Sequence, residues 1–148
     1  FDRIMDAVAA GEVEAGLLIH EGQLGYAARG LHAVIDLGAW WHADTGLPVP
    51  LGLNGVRKAL GPNLMQRASA LLKASIRYAL EHRKEALQYA LRYARGLDAA
   101  RAEHFVGMYV NAFTLELGRR GEDAVAHLFR LGHEAGVIPV RVEPEFIE

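Results

Sequence analysis

The chain has 148 residues, 51% of them hydrophobic and 23% charged, enough for one domain with a real core or for parts of two. A formal charge of -2 leaves no basic footprint for nucleic acid or an anionic membrane, and no apolar run approaches the roughly 18 residues of a membrane-spanning helix. The absence of cysteine excludes disulfides and thiolate chemistry and fits a reducing cytoplasm.

The chain opens on Phe1, with neither an initiator methionine nor a signal peptide. "FDRIMDAVAAGEV" reads as a helix in progress over residues 2–10, with Ile4, Met5 and Val8 on one face and Gly11 as its stop. The expectation is that residues 1–148 form the later part of a longer protein. "AGLLI" (15–19) follows as a strand candidate, then "GQLGYAARG" as a short helix closed by Gly30. "LHAVIDLG" (31–38) is a second strand candidate, and "AWWHADTG" (39–46) a helical turn or two ending at Gly46. "LPVPLGLN" (47–54) is a third extended piece, because its prolines forbid a helix interior. Short strands alternating with helices predict an α/β architecture with some parallel pairing. Three strands make a poor sheet alone, which places the others in a missing N-terminal portion.

From about residue 55 the pattern is almost wholly helical. Leu64, Ala68, Leu72, Ile76 and Leu80 recur every four residues, and Leu87, Leu91 and Ala94 continue the stripe to a stop at Gly96. So long a run predicts a break near His82. Asp98 is a good N-cap for "AARAEHFVGMYV". A last helix over about 119–135 carries Ala124, Val125, Leu128, Phe129 and Leu131 inward and ends at Gly136, before an extended tail, "VIPVRVEPEFIE".

Most of the conspicuous side chains have plain structural readings. "RYALEHRKE" and "YALRYAR" are solvated helix faces. His104, His127 and His133 stand on helices without HExxH or paired His and carboxylate spacing, so no metal is expected. Trp40 and Trp41 read as core and rim packing, the other reading being a cover for an aromatic ligand, and His42 reads as a helix-surface residue. Neither GxGxxG nor GxxxxGK[ST] occurs, which excludes nucleotide binding by those devices and leaves no cofactor expected.

His20 differs by its address. It is the first residue beyond a strand candidate, and open α/β sheets bind ligands outside the carboxyl ends of their strands. Gly22 permits close backbone approach, and a helix from about Gln23 would aim its first amides into the same crevice. An imidazole is a competent base near neutral pH because its unperturbed pKa is about 6.5. Glu21 either orients that ring or faces solvent. On the residues alone His20 reads equally as a base and as a histidine closing a strand end.

"AGLLIHEGQL", "DLGAWW...TGLPVPLGLN" and "SIRYALEHRKEAL...YARG" resemble the 1,4-dihydroxy-6-naphthoate synthases of the futalosine route to menaquinone, across essentially all 148 residues. The "IHEGQL" segment is the specific part, and Gly25 departs from it where a threonine is more usual. The resemblance implies the two-lobed fold of type II periplasmic solute-binding proteins, here lacking its N-terminal portion. Residues 1–48 would be the later part of the small α/β lobe, 49–54 the strand crossing the hinge, and 55–148 the mostly helical C-terminal part of the large lobe. It implies a cytoplasmic lyase that converts cyclic dehypoxanthinylfutalosine, a small anionic substrate, into 1,4-dihydroxy-6-naphthoate, with His20 as its catalytic base. Asn54 is the one substrate-contact candidate in this chain, loop hydrogen bonding being its commoner role. Two other functions share the fold: a solute-binding protein without chemistry, and the related chorismate dehydratase.

Overall fold

A computed structural model of the chain describes residues 1–19, 22–93 and 99–147. It is built from helices: α1 (Ile4–Ala9), α2 (Gly22–Gly25), α3 (Leu37–Thr45), α4 (Pro62–Glu81), α5 (Arg83–Ala90), α6 (Ala99–Tyr109), α7 (Ala112–Leu115) and α8 (Gly118–Glu134). Single 3-10 turns occupy Tyr26–Arg29, Lys58–Leu60 and Leu91–Tyr93. The expected stop at Gly96 and cap at Asp98, and the stripe position Ala94, lie outside the described residues.

Local chemistry explains the boundaries. Pro62 opens α4, where its fixed φ suits a helix and its missing N–H costs nothing. The expected break falls at His82, whose φ of -112° and ψ of 44° leave the helical region. His82 stays tied to α4: its amide donates to the Tyr78 carbonyl at 2.8 Å, and its ring stacks on Tyr78 with centroids 3.9 Å apart. Asn111 and Thr114 cap α7 reciprocally, Asn111 Oδ1 accepting from the Phe113 amide at 3.0 Å and Thr114 Oγ1 from the Asn111 amide at 3.2 Å. α8 ends in a Schellman motif: Gly136, at φ 72°, donates to the His133 carbonyl, and Val137 donates to that of Gly132, both at 2.9 Å.

The expected strands are not formed. Residues 15–19, 31–36 and 47–54 carry no helix, yet no strand is present among the described residues, and Leu37 and Gly38 belong to α3. A strand exists only through the ladder it shares with a neighbour, and these three segments give one another no such partner. The chain is α-rich, and the expected α/β sheet is not formed among the described residues.

The chain divides into two units. The first comprises residues 1–36 and 84–109, and contains α1, α2, nearly all of α5, and α6. Its buried apolar residue among those described is Ala102. The second comprises residues 37–83 and 110–148, with α3, α4, α7 and α8, and its core is Trp41, 5% exposed, with Ala124 and Val125 of α8. Trp40 next to Trp41 is 53% exposed, so one tryptophan is core and one rim as expected, but in the reverse order.

The inward face of α4 is the predicted one only in its second half, at Ile76 and Leu80. Leu64, Ala68 and Leu72 are exposed, while Met65, Ser69, Ile76, Ala79 and Leu80 are half-buried. At 3.6 residues per turn every step of four drifts by about 40°, so a strict every-four row winds off any single face. With Lys73 included, the half-buried set mixes steps of four and three with the adjacent pair Ala79 and Leu80, and stays within one arc. Leu128 of α8 is likewise exposed, although Phe129 and Leu131 turn partly inward as expected.

Candidate functional site

His20 and Glu21 lie outside the described residues, and the segments on either side of them define the site region in the first unit. Upstream, Gly16 lies against α1. A Cβ at this position would meet Val8 Cγ2 at 3.0 Å and come closer still to Ile4 Cγ2, so only glycine lets the extended segment pass there. Leu18 and Ile19 are half-buried and Leu17 is exposed. Downstream, α2 is one turn long, too short for a helix dipole of any weight, so the expected amide-lined crevice is not supplied by it. Around Gly22 the Leu18 Cβ, 4.0 Å from a built Cβ, is at ordinary contact distance, and no close approach of the described chain demands glycine.

Two polar ties among the described residues hold this region. Gln23 Nε2 donates to the Tyr109 hydroxyl at 2.7 Å, joining α2 to the last residue of α6 across 86 positions of sequence. The Tyr109 ring in turn lies 4.9 Å from that of Phe105, tilted by 46°. Arg29, ending the 3-10 turn after α2, pairs with Asp6 of α1. A partly buried neutral hydrogen bond contributes about 0.5–1.5 kcal/mol, whereas an exposed ion pair such as Arg29–Asp6 contributes about 0–1 kcal/mol. The Gln23–Tyr109 bond is therefore the firmer of the two anchors. Nothing in the chain's local pattern announces Tyr109; its partner lies in the "IHEGQL" segment, and the pairing is wholly non-local.

Other candidate groups fall elsewhere. Asn54 is exposed in the extended stretch of the second unit and makes no hydrogen bond among the described residues. His42 is exposed, with Nδ1 3.3 Å from the Leu47 carbonyl oxygen. His127 meets the edge of Trp41, with centroids 5.5 Å apart, and its Nδ1 lies 3.0 Å from an Arg130 guanidinium nitrogen, so it serves packing. Among the described residues no cluster of His, Asp and Glu is arranged to hold a metal, and no helix is long and apolar enough to cross a membrane. A hollow of about 310 Å³ on α1, lined by Arg3, Asp6, Ala7, Ala10 and Glu12, lacks convergent buried polar groups. On α5 and the turn after it, the Tyr89 and Tyr93 hydroxyls are 3.2 Å apart, and this bond raises the Tyr93 phenol above its ordinary value.

The α-rich chain, in which Gly16 lies against α1 and Gln23 is bonded to Tyr109, matches a known class. The chain belongs to the menaquinone biosynthesis family, whose family model matches residues 2–134. It is similar to the 1,4-dihydroxy-6-naphthoate synthase of Thermus thermophilus, with 44% identity over 147 residues that make up 99% of this chain and 54% of the relative. The enzyme of the same name from Streptomyces coelicolor is 38% identical over 139 residues, 94% of this chain and 49% of the relative. The crystal structure of an Archaeoglobus fulgidus protein superimposes with a TM-score of 0.88 at 43% identity, covering 93% of this chain and 52% of that one. The chain thus spans about half the length of the curated relatives it matches.

Proposed function

We propose that the protein to which this chain belongs is a carbon–carbon lyase of menaquinone biosynthesis that forms 1,4-dihydroxy-6-naphthoate from cyclic dehypoxanthinylfutalosine, with His20 as its general base. The observation that carries this reading is the family match over residues 2–134, together with two relatives of that name that align over nearly the whole chain. A neutral imidazole accepts the substrate proton whose loss starts the cleavage, a task suited to a group that titrates near neutral pH. The substrate is a small anion held between two lobes of a periplasmic-binding-protein-like fold. Residues 1–48 belong to the smaller lobe, 49–54 to the hinge and 55–148 to the larger, and closure of the lobes excludes water from the reacting atoms. Asn54 is the substrate-contact candidate of the hinge, and the enzyme works in the cytoplasm.

The test is a product assay with the full-length protein. Cyclic dehypoxanthinylfutalosine should disappear and 1,4-dihydroxy-6-naphthoate accumulate with it in equal amount. Binding of the substrate without turnover would replace the lyase by a solute-binding protein. Consumption of chorismate instead would point to the dehydratase that shares the fold.

A further inference from the structure

We propose that Asn54 is a site of spontaneous covalent modification, deamidated through the backbone nitrogen of Gly55. Asparagine occurs at positions 54, 63 and 111, and only Asn54 precedes a glycine. The reaction is internal to the chain. The Gly55 amide gives its proton to a solvent base, and its nitrogen attacks the side-chain carbonyl carbon of Asn54. The carboxamide carbon–nitrogen bond breaks, ammonia leaves, and a cyclic succinimide remains. Water then opens the ring at either carbonyl. One product is aspartate; the other is isoaspartate, in which the backbone runs on through the side-chain carbonyl. Nothing is oxidised or reduced, and water is the only co-reactant.

The local structure permits this closure at Asn54. Asn54 and Gly55 are both exposed and belong to no helix. Neither makes a hydrogen bond among the described residues, so no such bond holds back the carboxamide or the attacking N–H. Glycine puts no side chain in the path of the attack and leaves the backbone free to turn. A Cβ at Gly55 would meet no atom within 4 Å, so the surroundings are open as well. The other asparagines lack these conditions. Asn63 is the second residue of α4, where the helix fixes its backbone and Leu64 follows. Asn111 precedes Ala112, and its Oδ1 is engaged by the Phe113 amide at 3.0 Å in the cap of α7.

Modification adds one negative charge and, in isoaspartate, one carbon to the backbone path. The substrate of the proposed reaction is an anion and Asn54 its contact candidate. On that reading, which the chemistry itself does not need, modification weakens substrate binding.

The experiment incubates the full-length protein near neutral pH and follows all three asparagines by peptide mass spectrometry with isoaspartate detection. Aspartate and isoaspartate should accumulate at position 54 while Asn63 and Asn111 stay intact. The rate should approach that of the urea-unfolded protein, because a segment whose local opening costs almost nothing reacts as the unfolded chain does. Gly55→Ala should lose most of the reaction, since its methyl obstructs the attack; open space and a φ outside the left-handed region accommodate the change. An Asn54 that stays intact in the folded protein while the unfolded protein reacts overturns the proposal. Equal reaction in Gly55→Ala, or at all three asparagines, also overturns it. These readouts need no turnover, so failure of the lyase reading leaves them untouched. With the active enzyme, KM should rise with the modified fraction and stay constant in Gly55→Ala. A constant KM while Asn54 is consumed upholds the modification and removes Asn54 from substrate contact.

Discussion

Trp41 donates its indole N–H to the carbonyl oxygen of Pro48 at 3.0 Å, so α3 holds the extended segment that follows it. The same ring is 5% exposed and meets His127 of α8 edge-on, which makes Trp41 the centre of the second unit's small core. Replacing Trp41 by Phe keeps most of the apolar volume but leaves the Pro48 carbonyl without its donor, at a cost of about 1–3 kcal/mol. Trp41→Ala adds a cavity and should cost about 3–5 kcal/mol. Urea midpoints of the full-length protein, read at unchanged slope, check both values.

Gly16 yields a prediction near the site. The Cβ of Gly16→Ala would overlap a branched methyl of Ile4, which cannot swing away as the end of a flexible chain would. Helix α1 must then shift, and the change should cost about 1–3 kcal/mol. Trimming the neighbour in an Ile4→Ala, Gly16→Ala double variant should destabilise less than the two single losses added together. Strict additivity in the unfolding data would mean that α1 and the segment before His20 do not press on each other.

The Tyr89–Tyr93 pair gives a pH dependence whose sign follows from the direction of the shift. Tyr93, exposed on the surface, is raised by its bond to the Tyr89 hydroxyl, so the folded protein holds this proton more tightly than the unfolded chain. The contribution is complete below the ordinary tyrosine value of about 10 and is lost as pH rises through the raised value. Tyr89→Phe should bring the Tyr93 titration, followed by phenolate absorbance, back toward the ordinary value. A Tyr93 titration that does not move would contradict the hydroxyl–hydroxyl bond.

How much of this was legible in the sequence depends on whether the cause was local. The closures at Gly30, Gly46 and Gly136 and the break at His82 follow from neighbours within a few residues and are found where expected. Which of Trp40 and Trp41 is buried depends on the packing of distant α8 and is the reverse of the expectation. The first half of α4 departs from the expected stripe because recurrence every four residues drifts around the helix. The strands at 15–19, 31–38 and 47–54 require partners that no local pattern supplies, and none forms among the described residues. At the site, "IHEGQL" stands out as a motif, whereas Tyr109 cannot be seen from it: 86 residues separate it from Gln23, and only the fold brings α6 to α2.

The central claim is that His20 is the base, and the pH–rate profile of the full-length enzyme beside that of His20→Ala tests it most directly. General-base catalysis is worth ~10²–10⁴-fold, so kcat should fall by that order in His20→Ala while the unfolding transition stays in place. The unmodified enzyme should gain rate through one ionisation near the ordinary histidine value of about 6.5 and then level off, and the variant should lack that ionisation. Near-normal turnover in His20→Ala, or the same rising limb in both proteins, would contradict the account.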